Sequence, residues 1–301
     1  MDNGFRLMVA PLQGLTEAAW RRVHFRLFGD AQGAVEYFTP FIRVEHGNVR
    51  PRDLRDFTSP LNEGMPVTPQ IIFKNEGEWR ILVESLLEAG ARYIDMNMGC
   101  PFPPQVKKGR GAGALQQIAE LERIAHRMAQ YSGQMEFSIK MRLGLSEPGE
   151  ALVLSDILNS MPLRHITIHP RTAAQQYKGE LHLNELEQLK LRLSHPIIFN
   201  GDISTPAQIK MLESGYAGAM VGRGILSRPT LFAEYRTGVE YSEDDRAGAY
   251  LHTLRDTAAL LADRLCGPTQ LRDKLTPYWQ YAPAFLDKKI VKQGKKQGLI
   301  P

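Results

Sequence analysis

"PIIFNGDISTPAQIKMLESGYAGAMVGRG", residues 196 to 224, holds a complete structural unit. The apolar run PIIFNG (196–201) ends on glycine and reads as a buried strand. TPAQIKMLESG (205–215) has helical spacing and stops at Gly215, and AGAMVG (217–222) is a second apolar run. A strand, one crossover helix and a strand make a β-α-β unit, the building block of a parallel sheet.

The same alternation runs outward in both directions. Strands are predicted at 6–11, 33–39, 67–73, 93–98, 137–143, 165–170, 196–201 and 217–222, with helices at EGEWRILVESLLEAG, LQQIAELERIAHRMAQY, ALVLSDILNSM, LNELEQLKLRL and TPAQIKMLESG. Eight strands with crossover helices close into a (β/α)8 TIM barrel more naturally than into an open, doubly wound sheet. Strand signals stop near residue 235, so the expected division is a barrel over 1–241 and a small helical domain over 242–301.

Composition sets the class. The chain has 301 residues, 43% hydrophobic and 23% charged, as an ordinary soluble globular protein does, and an α/β barrel of about 250 residues fits within it. No apolar run reaches the roughly 18 residues of a membrane span, and the N-terminus lacks the pattern of a secretory signal. Two distant cysteines, Cys100 and Cys266, argue against a disulfide framework or a zinc site; a cytoplasmic setting and no metal are expected. The net charge of +4 permits a polyanionic partner, and the lysine-rich DKKIVKQGKK (287–296) is either a solvated tail or a phosphate-binding one.

In such a barrel the site lies at the C-terminal ends of the strands, where polar residues cluster here. Gln70, Asn97, Cys100, Lys140, Arg142, His169, Arg171, Asn200, Asp202, Gly222 and Arg223 all fall at or just beyond strand ends. Singly, several have structural readings. Gln70 and His169 could satisfy buried groups, and Asp202 could cap the helix beginning near Thr205. Lys140, inside FSIKMRL, is costly to bury without a polar or anionic partner. VGRG places glycines on both sides of Arg223, so backbone N–H groups and a guanidinium can meet an anion at the strand positions where barrels hold phosphates. A phosphorylated cofactor across the barrel mouth suits this set, and FMN is the candidate. No GxGxxG follows the first strand, which argues against a dinucleotide held in Rossmann fashion.

With APLQGLTE, DMNMGCP, IKMRLG, IHPRTAAQQYKG, NGDI and VGRG read together, the chain resembles the tRNA-dihydrouridine synthases, flavoenzymes with an FMN-binding barrel and a helical C-terminal domain. The resemblance implies that Pro11 and Leu12 line the flavin through backbone contacts, that Gln70, Lys140 and His169 surround its ring and ribityl chain, and that Asn200, Asp202, Gly222 and Arg223 hold the ribityl and phosphate end. It implies that Asn97 contacts the substrate base, that Cys100 is the catalytic acid, and that Arg171, Gln175, Tyr177 and Lys178 lie near the RNA. NADPH as reductant and tRNA as partner come from the same resemblance; a monomer is expected. Leu12 stands where the family usually has Met, PFPP and a basic run follow Cys100, and the helical segment is short for the family.

The chemistry assigned to Cys100 is sound in itself. Reducing the C5–C6 bond of uracil takes a hydride at C6 and a proton at C5, and a thiol with an ordinary pKa of about 8.5 is protonated at neutral pH. A base stacked in folded RNA must flip out to reach a barrel pocket, with Lys107, Lys108, Arg110, Arg171 and Lys178 as candidate phosphate contacts at the rim. Three rivals remain: an FMN barrel reductase of a free pyrimidine, similar to dihydroorotate dehydrogenase; a ribosomal-RNA dihydrouridine synthase; and a non-catalytic RNA-binding barrel.

Overall fold

A computed structural model describes residues 4–29 and 35–298. Its strands are β1 (Arg6–Val9), β2 (Val35–Phe38), β3 (Ile42–Glu45), β4 (Asn48–Val49), β5 (Val67–Thr68), β6 (Gln70–Ile72), β7 (Tyr93–Met98), β8 (Glu136–Gly144), β9 (Leu163–Thr172), β10 (Ile197–Asn200) and β11 (Gly218–Val221). A continuous parallel ladder runs β6-β7-β8-β9-β10-β11-β1-β2-β5.

Closure follows from one proline. β5 pairs with β2 and β6 pairs with β7, yet only Pro69 separates β5 from β6, so the two are one barrel strand that closes an eight-stranded ring. Pro69 has no N–H to donate, and its carbonyl still accepts from Asp95 N at 3.0 Å. All eight expected strands are present; of the run expected at 33–39, residues 33 and 34 lie outside the described residues.

The sequence patterns did not reveal the β3–β4 hairpin or three of the helices. β3 continues the second strand beside β6 and turns back on β4 through His46 and Gly47, both at positive φ (50° and 79°). That is the backbone a two-residue hairpin needs, with histidine in place of the usual Asn or Asp. Helix Ala18–Phe28 escapes notice because basic residues interrupt its apolar face; Arg21 is fully buried, held by Asp56, Asn62 and the Thr16 carbonyl. Helices Pro51–Phe57 and Leu231–Thr237 are too short for periodicity to show.

Met8, Ala10, Phe38, Ile198 and Met220 form one buried cluster, while Ile94, Ile139 and Ile168, on the alternate strand positions, belong to the larger core. Beyond the barrel, helices Glu243–Ala262 and Pro268–Leu275 pack back onto its first loop and helix, and Lys288–Gln297 packs on the turn Thr276–Tyr281. Tyr278 Oη donates to the Leu15 carbonyl, Lys274 pairs with Glu17 at 2.6 Å, and Arg26 pairs with Asp256. In Lys288–Gln297 a Cβ on Gly294 would lie 2.2 Å from the Trp279 ring, so that face is packed while the lysines face solvent. Among the described residues no helix is long and apolar enough to cross a membrane.

Candidate active site

The C-terminal ends of β10 and β11 make an anion-seeking corner. Asn200 Nδ2 donates to Met220 O at 2.7 Å and locks the two strand ends together. The chain then turns through Gly201 and through Asp202 at φ 48°. Asp202 does not cap the next helix: Thr205 and Gln208 form a reciprocal capping box there. Its carboxylate instead bridges Arg171 and Arg223, which hold it below the usual carboxylate range. At Gly224 a Cβ would sit 2.0 Å from Ile203 O, so only glycine lets the two turns approach. Gly222, Arg223 and Gly224, at the start of helix Arg223–Ser227, line this corner, and the Ile225 N–H is taken by Gly222 O at 3.1 Å.

Lys140 and His169 line the middle of the same cavity. Burial, then the nearby Arg142, lowers the Lys140 ammonium to about 8, so most of it is charged at neutral pH. Burial, with the charges of Arg142, Lys140, Arg171 and Arg223, pushes His169 far down, leaving a neutral imidazole whose Nε2 accepts a hydrogen bond from Arg171 Nη1 at 3.2 Å. Pro11 and Leu12 form the opposite wall. Backbone contact from Leu12 to a ligand is limited, because its N–H donates to Thr16 Oγ1 and its carbonyl accepts from Leu15 and Thr16. Its share of the wall is chiefly apolar surface.

A chain of hydrogen bonds crosses the lumen and ends on the cysteine loop. Tyr93 Oη donates to Ser138 Oγ, and Ser138 Oγ donates to Asp95 Oδ1. Gln70 Nε2 donates to Asp95 Oδ2, and Asn97 Nδ2 donates to Gln70 Oε1, both at 2.7 Å. Asn97 Oδ1 accepts from the backbone N–H groups of Gly99 and Cys100. Desolvation raises the buried Asp95 carboxyl to about 6. Gln70 is only 1% exposed and orients Asn97 through its side-chain oxygen. Asn97 lines the cavity.

Cys100 stands where two cavities meet. Burial raises its thiol pKa, against a backbone hydrogen bond and the Arg142 and Lys140 charges, so it is protonated at neutral pH. Arg142 Nε donates to Gly99 O and Nη1 to Thr172 O, tying the loop to β9; sequence reading placed Arg142 at a strand end but gave it no role. Gly111, at φ 59°, packs beneath the loop, where a Cβ would come 2.7 Å from Cys100 O.

Beyond Cys100 lies a second cleft of about 670 Å³ that the sequence did not disclose. It shares Gln13, Phe41, Cys100, Pro101 and Tyr177 with the first cavity. Its outer wall is helix Pro51–Phe57 and the residues before it, with Arg43, Arg50, Arg52 and Arg55.

Several expected rim contacts sit elsewhere. Arg171 is 4% exposed, bound to Asp202 and to Gly179 O, and so serves the anion corner rather than the rim. Arg110 is buried in a two-point pair with Glu78 and donates to Val44 O; it anchors the loop after Cys100. Gln175 staples its own loop, accepting from Thr172 N and donating to Glu180 O. Tyr177 does reach the mouth, lies over both Arg142 and Arg223, and borders both cavities. Lys178, Lys107 and Lys108 are exposed.

Cavity and barrel have the layout of a barrel enzyme, with its site at the C-terminal ends of the strands. Solved structures agree on the fold: morphinone reductase superposes with a TM-score of 0.54 over 81% of this chain and 88% of its own, at 11% identity, and the old yellow enzyme from Trypanosoma cruzi with 0.53 over 83% and 93%, at 9%. The family profile described as dihydrouridine synthase (Dus) matches residues 8–297, and the chain belongs to that family. Among similar proteins are a tRNA-dihydrouridine synthase B of Pseudomonas putida, 28% identical over 76% of this chain and 67% of its own, and a probable tRNA-dihydrouridine synthase 1 of Synechocystis, 30% identical over 77% and 66%. A tRNA-dihydrouridine(16) synthase of Neisseria meningitidis is 28% identical over 80% and 75%.

Proposed function

We propose that the protein reduces the C5–C6 bond of a uridine in tRNA to dihydrouridine, using FMN and NADPH. The observation that carries this reading is a thiol kept protonated by burial on the wall common to two cavities.

The residues of the first cavity fit FMN by their chemistry. The anion corner at Arg223 would suit its phosphate, Asn200 and the Asp202 turn would hold the ribityl chain, and Lys140 and the neutral His169 would offer donors to the ring. FMN, when bound and reduced, would supply the hydride for C6. Cys100 gives its proton to C5, Asn97 fixes the loop that carries the thiol and meets the base, and Lys140 holds negative charge in a site shielded from water.

The open second cleft favours a polymer over a free pyrimidine, which would need only the inner cavity. On this reading residues 1–241 are the catalytic barrel, 242–301 assist RNA binding, and the protein works as a cytoplasmic monomer. Mass spectrometry of nucleosides from separated tRNA and ribosomal RNA, from cells with and without the gene, tests it. Loss of dihydrouridine from tRNA supports the reading; loss from ribosomal RNA alone transfers it to that substrate; loss from neither defeats it.

A further inference from the structure

The second cleft is chemically two-sided. Arg52 and Arg55, one helical turn apart on Pro51–Phe57, are exposed and have no ion-pair partner among the described residues. The cleft's other charges are matched. Arg43 lies 3.8 Å from Asp53, Arg50 pairs with Glu45 and Asp53, Asp56 is held by Arg21, and Glu17 by Lys274. The surplus charge of the wall is therefore Arg52 and Arg55.

Facing this surplus are acceptors that want donors. Gln105 lines the cleft, is 7% exposed, and its Oε1 is buried with no hydrogen-bond partner; Asp53 Oδ2, also on the lining, has none either, Arg43 being too distant. Buried acceptors without partners are uncommon and costly. A simple anion cannot satisfy them, because it offers acceptors only. A ribonucleotide can, since its phosphates meet the arginines while ribose hydroxyls and base N–H groups donate to the two oxygens. Phe102, 57% exposed, and Tyr177, 49% exposed, offer aromatic faces along the same cleft.

Resting on the function proposed above, we infer that this cleft binds the RNA strand next to the target uridine, with Arg52 and Arg55 on its phosphates and Gln105 on a ribose or base of a neighbouring nucleotide. The cleft opens directly onto Cys100, so a strand whose uridine reaches the thiol must leave across this wall. The phosphates of NADPH are the competing source of the same chemistry.

The holoenzyme carrying Arg52→Ala and Arg55→Ala is compared with wild type on tRNA isolated from cells lacking the gene, and separately on NADPH oxidation with oxygen as acceptor. The expected result is an RNA KM raised about tenfold or more and a log–log salt dependence shallower by about two phosphate contacts, with the NADPH half-reaction unchanged. Gln105→Leu is expected to raise the RNA KM without altering the salt slope. A wild-type RNA KM and slope in the double variant would overturn the inference while leaving uridine reduction intact, and a raised NADPH KM in place of the RNA effect would give the cleft to the dinucleotide. If wild type itself forms no dihydrouridine, the underlying function fails and this inference with it.

Discussion

Asn97 Oδ1 accepts the backbone N–H of Cys100 at 2.9 Å, so a single carboxamide fixes the start of the loop that carries the thiol. Which way that carboxamide faces is decided two residues away. Asp95 only accepts, so Gln70 must turn its NH2 toward Asp95 and its oxygen toward Asn97. Asn97 must then turn its oxygen to the loop.

Asp95→Asn therefore disturbs the loop without touching it. Ser138 keeps its donation to the side-chain oxygen, the new NH2 faces Gln70, Gln70 turns over, and Asn97 presents NH2 to the N–H of Cys100. Turnover should fall about 10- to 100-fold, as displaced reacting groups do, with FMN content and RNA KM nearly unchanged. Wild-type turnover would show that the relay does not set the loop.

The same substitution has a pH signature in stability. A folded Asp95 pKa of about 6, above the ordinary 3.8, means its contribution is fully present below pH 4 and is lost as pH rises through 6. Thermal melts of wild type and Asp95→Asn should thus differ most in the wild type's disfavour above pH 6, converging toward pH 4. A difference independent of pH would contradict the raised value.

His169 should contribute no titration to the activity between pH 5 and 7, because it is already neutral there, and a limb near pH 6 belongs to Asp95. Activity should decline as pH rises through about 8, where Lys140 loses its proton. Lys140→Arg should move that limb to higher pH even if the rate falls, and an unmoved limb would place the titration elsewhere.

Arg171 and Arg223 share Asp202 but should fail differently. Arg223, 40% exposed at the corner, is a ligand-facing group; Arg223→Ala should release FMN at least tenfold more readily while the apoprotein melts near wild type. Arg171 is buried, and Arg171→Ala leaves Gly179 O without its donor, at a cost of about 2–3 kcal/mol in stability. Differential scanning calorimetry of both apoproteins separates the two.

The barrel was legible because each strand is a bounded apolar run and helices between them such as Glu76–Glu88 and Ile118–Met128 are long enough to show their period. The β3–β4 hairpin and Pro51–Phe57 were not, since a His-Gly turn and a seven-residue helix carry little periodic signal. Lys140, His169, Asn200 and Arg223, marked by their strand-end position, line the cavity. Sequence position could not tell Arg171 and Arg110, turned inward onto carboxylates, from rim arginines such as Arg52. Burial is a property of the neighbours, and those neighbours are distant in sequence.

The most direct test is a single-turnover reaction of the FMN-reduced Cys100→Ala protein with tRNA lacking dihydrouridine, followed by nucleoside mass spectrometry. FMN retention and reduction by NADPH at the wild-type rate, with dihydrouridine formation lost, is the predicted result. Dihydrouridine formed at the wild-type rate would contradict the role of Cys100 as the proton donor.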